Sequence, residues 1–190
     1  PVGGSDPIGT LGPLNAFLEM VEQAQNREIL LPDFIIVGVG TCGTMAGLLA
    51  AQKIAGVSTR IIGIRCVDKI VCNPFRISHL ANQTLKYLNL SARLASSDVD
   101  LRDHGKIRYG NPNSDANDLI QLLQNTEKIN LDTTYTTKVV SGMKELLKSE
   151  SMKNKNILYW HTYSPSAMNE KFDPALLMTP TSGRITLPSR

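Results

Sequence analysis

Phe34-Ile35-Ile36-Val37-Gly38-Val39-Gly40-Thr41-Cys42-Gly43-Thr44-Met45-Ala46-Gly47-Leu48 is the stretch on which the fold turns. Phe34 to Val39 is a continuous apolar, β-branched run, the signature of a strand buried on both faces of a parallel sheet. Met45 to Ile54 is rich in Ala and Leu and is expected to be helical. The glycines between them allow close backbone approach, so that several amide N–H groups can point at one anion. A helix N-terminus adds a favourable dipole for that negative charge, and Thr41 and Thr44 add hydroxyl donors. Three readings of this turn are open. It can be only a tight strand-to-helix connection. It can be a dinucleotide site, since Gly38, Gly40 and Gly43 match G-x-G-x-x-G, but that reading wants an acidic residue closing the next strand. That strand ends Ile64-Arg65-Cys66-Val67, with Asp68 just beyond, which weakens it. The third reading is a cradle for a monophosphate.

Working outward, Gly3-Gly4-Ser5-Asp6-Pro7 carries helix-start chemistry, with Ser5 or Asp6 as cap and Pro7 at a first helical position. Leu11, Leu14, Phe17, Leu18 and Val21 then follow at helical spacing. Arg60 to Val67 is a second buried strand, and Pro74 to Leu90 a helix with Ile77, Leu80, Ala81, Leu85 and Leu88 on one face. Lys106 to Gly110 reads as a short strand or loop, Asp115 to Thr126 and Lys138 to Lys148 as helices, and Asn156 to Thr162 as a last buried strand. Strand and helix alternate, so the fold class is α/β with a parallel sheet and right-handed crossovers. Residues 1–172 are expected to form one domain and the Pro-, Thr- and Ser-rich residues 173–190 a loose tail.

The 20 basic and 17 acidic residues are spread without like-charge blocks, which argues against nucleic acid or a membrane surface as partner. No apolar run approaches the roughly 20 residues needed to span a bilayer, and no signal peptide is visible. Cys42, Cys66 and Cys72 have no metal-site spacing, and no metal is expected. Cys66 and Cys72 could pair in an oxidising compartment, but reduced, buried thiols and a cytoplasmic location are the expectation. The chain opens Pro1-Val2-Gly3-Gly4-Ser5, as though a strand had just ended, and reads as a piece of a longer protein.

Four ordered segments carry a family resemblance. Gly40-Thr41-Cys42-Gly43-Thr44-Met45-Ala46-Gly47-Leu48 resembles the G-[ST]-G-G-T-x-A-G-L phosphate loop of the D-cysteine desulfhydrase and 1-aminocyclopropane-1-carboxylate (ACC) deaminase group, pyridoxal-phosphate (PLP) enzymes of fold type II. Pro1 to Ser5 with Ile8 to Gly12 resembles its P-x-G-G-S-[ND]-x-x-G-x-x-G segment. Tyr109-Gly110, followed by Thr126 to Asp132, resembles its G-Y-G … T-E-G-[IL]-x-L-D-P-V-Y-T-G-K stretch. Ile157-Leu158-Tyr159-Trp160-His161-Thr162 resembles its [IV]-L-F-W-H-T-G-G strand.

The resemblance implies a three-layer, mostly parallel twisted sheet flanked by helices, like the tryptophan synthase β fold and here incomplete. It implies pyridoxal 5'-phosphate as cofactor, a small amino acid as substrate and, by family analogy, a homodimer. Gly40, Thr41, Cys42, Gly43 and Thr44 would hold the phosphate. Tyr135 matches the family tyrosine near the cofactor ring, a candidate for stacking or acid–base catalysis. Thr136 falls at the position facing the pyridine nitrogen. A hydroxyl there leaves that nitrogen largely unprotonated, and deaminase-type members carry a glutamate, so Thr136 leans toward the desulfhydrase side. A histidine ending an apolar strand is more often a satisfied core residue than a base. Strand ends in open α/β sheets do face the ligand crevice, which makes His161 and Thr162 candidate cofactor neighbours. Cys42 reads as a small buried residue.

Some positions depart from the pattern. Tyr163-Ser164 replaces Gly-Gly, Thr133-Thr134 replaces Pro-Val, and Thr137 replaces the glycine before Lys138. The Schiff-base lysine of the family, in an N-K-x-R-K type motif, has no counterpart, and Lys53, Lys69 and Lys138 do not sit in matching context. The expectation is therefore a lyase or deaminase activity in a parent protein and none in these 190 residues alone. The rival of a different class is a non-catalytic homologue that only binds a phosphate-bearing ligand.

Overall fold

The computed structural model describes residues 2–103, 114–132 and 135–162. The expectations for Lys106 to Gly110, for Thr133 and Thr134, for Tyr163 and Ser164, and for the tail at 173–190 lie outside those residues.

The central strand β1 (Phe34–Val39) forms from the apolar run and pairs on both sides. On one side it meets β2 (Arg60–Arg65), with Val39 opposite Arg65; on the other it meets β4 (Ile157–Trp160), with Val37 opposite Trp160. Strand β3 (Asp100–Asp103) extends the sheet beyond β2, giving the order β3-β2-β1-β4 with every pair parallel. This is the expected α/β class.

Alternation along β1 divides the core in two, because successive side chains leave opposite faces. Ile35, Val37 and Val39 join Phe17, Leu48 and Ile77 in the larger cluster. Phe34 and Ile36 join Ile62, Ile64 and Val139 in the smaller one. The first face is covered by α1 (Leu11–Asn26), α2 (Gly43–Ala55) and α3 (Pro74–Tyr87). On the second, α5 (Thr136–Leu146) packs on β1 and β2, and α4 (Ser114–Glu127) packs against α5. Helices thus flank the sheet on both sides, as the three-layer expectation required.

Three local expectations are corrected, and one strand appears that the sequence did not announce. Helix α1 begins at Leu11, not at Pro7, because the Asp6 carboxylate accepts from the Gly9 N–H at 2.7 Å and holds Asp6 to Thr10 as a turn. Strand β3 occupies Asp100–Asp103, a stretch with no apolar alternation to announce it. Its Asp100 and Asp103 instead pair with Arg60 and Arg65 across the β2 edge. Strand β4 is a half-buried strand of four residues beside β1, not a buried one of seven. Helix α5 starts at Thr136, two residues before Lys138.

Close approach of α1 and α2 depends on Gly47. A Cβ there would lie 2.5 Å from the Thr10 carbonyl oxygen and 2.9 Å from Pro13 Cγ. Substitution Gly47→Val is expected to force the helices apart and destabilise the fold by about 1–3 kcal/mol, read as a lowered urea midpoint.

Candidate functional site

At the carboxyl end of β1 the chain reverses into α2 within three residues. Cys42 makes the reversal in the left-handed region, at φ 77° and ψ −19°. For an L-residue with a side chain this costs roughly 1–2 kcal/mol, which is why glycine is the natural occupant of such a position. The first bond of α2 runs from the Ala46 N–H to the Cys42 carbonyl at 3.0 Å. The amides of Gly43, Thr44 and Met45 therefore have no acceptor within the helix.

Of these residues, Gly43 and Thr44 border a cavity of about 460 Å³ at the carboxyl ends of β1 and β4. Sheet order places it where the chain crosses from one side of β1 to the other, the position at which open α/β sheets form ligand crevices. One wall is the turn from Gly38 to Thr44; Tyr135, Thr136 and Val139 from the start of α5 form a second; Tyr159, Trp160 and Thr162 form a third. Among the described residues the lining holds no lysine, arginine, aspartate or glutamate.

The donors are ordered. Ser5 Oγ donates to Thr41 Oγ1 at 2.7 Å, so the Thr41 hydroxyl keeps its own proton to give to an anion. Thr44 reaches the cavity with no hydrogen-bond partner for its hydroxyl among the described residues. A Cβ on Gly40 would stand 3.4 Å from Tyr135 Cε1, so the Tyr135 ring lies against the turn.

Asp132 holds the second wall. Its carboxylate accepts from the Tyr135 N–H at 2.7 Å, the Thr136 N–H at 2.9 Å and the Thr136 hydroxyl at 2.6 Å. It caps α5 from outside and explains why that helix starts at Thr136. It also means that the hydroxyl of Thr136, a residue 4% exposed, already has a partner.

Of the residues singled out in the sequence, Gly40 to Thr44, Tyr135, Thr136 and Thr162 come together around this cavity. His161 does not line it. That side chain is exposed and meets the site only through Tyr159, with Nδ1 3.1 Å from the Tyr159 hydroxyl. Burial, with Asp132 and Cys66 adding to it, pushes the Tyr159 hydroxyl above the ordinary phenol range, so it stays protonated. Ser5, Asp132 and Tyr159 went unassigned by sequence reasoning. The family segment ending in Ser5 was a usable signal for the first; the bonds that give the others their roles have no sequence signature.

Behind the walls, Lys138 is fully buried, and its Nζ donates to the Cys66 carbonyl at 3.0 Å, away from the cavity lining. Burial lowers its pKa, opposed by Cys66, Asp132 and Asp68. The three cysteines are buried free thiols.

The family described as pyridoxal-phosphate dependent enzyme matches residues 1–162. Putative 1-aminocyclopropane-1-carboxylate deaminases of Pyrococcus furiosus and Pyrococcus abyssi are 32% and 27% identical to the chain over 162 residues. Each alignment covers 85% of this chain and 48% of the relative, so the chain spans about half the length of the curated relatives it matches. A crystal structure described as an ACC deaminase homologue superposes with a TM-score of 0.72 at 27% identity, covering 84% of this chain and 46% of that one.

Two outcomes follow from the geometry. Asp132→Ala leaves two backbone amides and a hydroxyl without their acceptor and is expected to cost about 1–2 kcal/mol in urea denaturation, with Asp132→Asn recovering part of it. Cys66 supplies a pH dependence: burial, the largest influence, pushes its thiol up to about 11 from an ordinary 9.0. Folding favours the neutral form, so this stabilisation is full below about pH 9 and is lost as pH climbs through about 11. Denaturation across that window should show a loss of about 2–3 kcal/mol from this group, absent in Cys66→Ala.

Proposed function

The chain belongs to the pyridoxal-phosphate dependent enzyme family, and from that premise we propose that it forms the phosphate-and-ring half of a PLP-dependent lyase acting on a small amino acid. The observation that carries the reading is the cradle at the start of α2, which holds no lysine or arginine and, among the described residues, has unpaired amides and two available hydroxyls facing one cavity. That donor set suits a phosphate dianion: helix-terminal amides and hydroxyls can hold it without a cationic side chain.

In this reading the amides of Gly43 and Thr44 and the hydroxyls of Thr41 and Thr44 bind the phosphate, and Ser5 fixes the Thr41 rotamer. Tyr135 packs against the ring or moves a proton at the substrate. Thr136 faces the pyridine nitrogen and, being neutral, leaves that nitrogen unprotonated. The cofactor, when bound, supplies the electron sink that lets a proton at or beyond the substrate α-carbon be removed. Thr162 lies at the cavity rim, where it can orient a polar substituent. The family's lysine is supplied by another part of the parent protein; Lys138, committed to the Cys66 carbonyl, does not serve.

Thr136 favours D-cysteine as substrate, with keto acid, ammonia and sulfide as products. A second reading, ACC ring opening to a keto acid and ammonia, is favoured by the description of the two Pyrococcus relatives. Exchange of Thr136 for Glu is a blunt probe of the choice, because it also removes a donor from Asp132 and sets two carboxylates together. Direct assay of the parent protein for sulfide from D-cysteine and keto acid from ACC is the cleaner test.

Cofactor binding has a built-in reporter, since Trp160 is the only tryptophan of the sequence and lines the cavity. Adding PLP should quench its fluorescence, inorganic phosphate should compete, and Thr44→Val should weaken PLP binding about tenfold by removing one charge-assisted bond. Quenching that phosphate does not compete away would overturn the cradle reading.

A further inference from the structure

Cys42 carries a thiol at a position where its backbone conformation would favour glycine, and the surroundings of that thiol are unusual. It sits at the N-terminus of α2, where the helix dipole favours a negative charge. The residue borders the cavity and is 3% exposed, so the route for a small polar molecule to its sulfur runs through the cavity. Beneath it lies Cys72, fully buried in the same core cluster. Cys42 Sγ donates to the carbonyl oxygen of Val71 at 3.8 Å, which brings it next to Cys72, the following residue.

The charges facing the pair are basic: Arg65 from the end of β2 and Arg76 from α3. Arg65 pairs with Asp103 through Nη1, while its buried Nε has no hydrogen-bond partner among the described residues. The Cys72 thiol donating to Cys42, with the Asn73 amide and the two arginines, outweighs burial and holds the Cys42 thiol down to about 7. Cys72, as the partner that keeps the shared proton, is raised. Cys66 provides the internal contrast: it is also buried, but burial dominates and pushes it up.

We propose that Cys42 is a site of reversible peroxide oxidation and that Cys72 is the thiol that resolves it, closing a disulfide beneath the phosphate cradle. The Cys42 thiolate attacks one oxygen of hydrogen peroxide; the O–O bond breaks, and the departing hydroxide takes up a proton to leave as water. The resulting sulfenic acid is attacked by the Cys72 sulfur, which gives up its proton; the S–O bond breaks and a second water leaves. The two sulfurs together lose two electrons and one peroxide becomes two waters. This is the arrangement of a redox-sensing pair, an accessible thiolate poised over a resolving thiol. The bond would tie the left-handed residue that starts α2 to the segment leading into α3, and so couple oxidation to the geometry of the cradle. A bound phosphate places negative charge against Cys42 and covers it, so ligand and oxidant are set in competition; this last link rests on the cradle reading.

The test uses the full-length protein near neutral pH. Trypsin separates the three cysteines of this stretch, since Lys53, Arg65 and Lys69 cut between them and Arg76 after the last. After brief treatment with hydrogen peroxide and blocking of free thiols, mass mapping should show the Cys42 and Cys72 peptides joined, the link vanishing on reduction, with Cys66 still free. In Cys72→Ser the reaction should stop at a sulfenic acid on Cys42 that dimedone traps; if that variant fails to fold, the map of the unmodified protein decides. No Cys42–Cys72 link, or oxidation of Cys66 as fast as Cys42, overturns the proposal. Inorganic phosphate in the same experiment should slow link formation several-fold. A link that forms equally fast with and without phosphate leaves the thiol pair standing and counts against the cradle instead.

Discussion

The rest of the structure hangs on one junction, where β1 ends and α2 begins. Strand β1 is paired on both sides from Phe34 to Val37, and β2 continues to hold Gly38 and Val39, so its carboxyl end cannot shift to relieve the turn. The turn must therefore bring α2 back across the sheet at once, and it does so through a left-handed Cys42. The cost of that conformation is offset by burial: Met45, Ala46, Leu48, Ala50 and Ala51 become inaccessible to solvent as α2 docks. Docking at that distance in turn needs small residues opposite. A Cβ on Gly63 of β2 would meet Met45 Sδ at 2.5 Å. The same rigid junction leaves the first amides of α2 aimed into an open cavity, so the feature that strains the backbone is the one that supplies the anion donors.

Elements whose stability comes from burying apolar side chains against the sheet were legible in the sequence. Strands β1 and β2 and helices α2 and α3 are of that kind, and their periodicity stood out because packing alone selects it. Elements held by polar contacts were not. Strand β3 is built from Asp100, Leu101, Arg102 and Asp103, and its place is fixed by ion pairs to β2 that join residues about forty positions apart. The start of α1 was misread because two cap chemistries compete at Asp6; the carboxylate closes a turn on Gly9 and leaves Pro7 outside the helix.

The site divides along the same line. Gly40 to Thr44 could be read as donors because glycine and threonine in a strand-to-helix turn have few other uses. Ser5 and Asp132 act by positioning other groups, one across 36 residues and the other on a helix start whose N–H groups it satisfies. Such roles exist only once the chain has folded. His161 shows the converse: a chemically suggestive residue at a strand end, turned outward where its neighbour Tyr159 faces in.

That the described cavity lining holds no lysine or arginine has a consequence for control. An anion held by lysine or arginine would be insensitive to one nearby thiol, because the cationic side chain would dominate the local field. Here the field comes from helix-terminal amides and hydroxyl dipoles, which are weaker and fixed in place. The nearest group able to change its charge near neutral pH is the Cys42 thiol, at the foot of the same helix terminus. Ionisation of Cys42 and occupation of the cradle draw on the same partial positive charge, so each weakens the other. A glycine at this position would give the turn its least strained backbone and no such coupling. The cysteine exchanges backbone ease for a chemical input to the place where the phosphate is held.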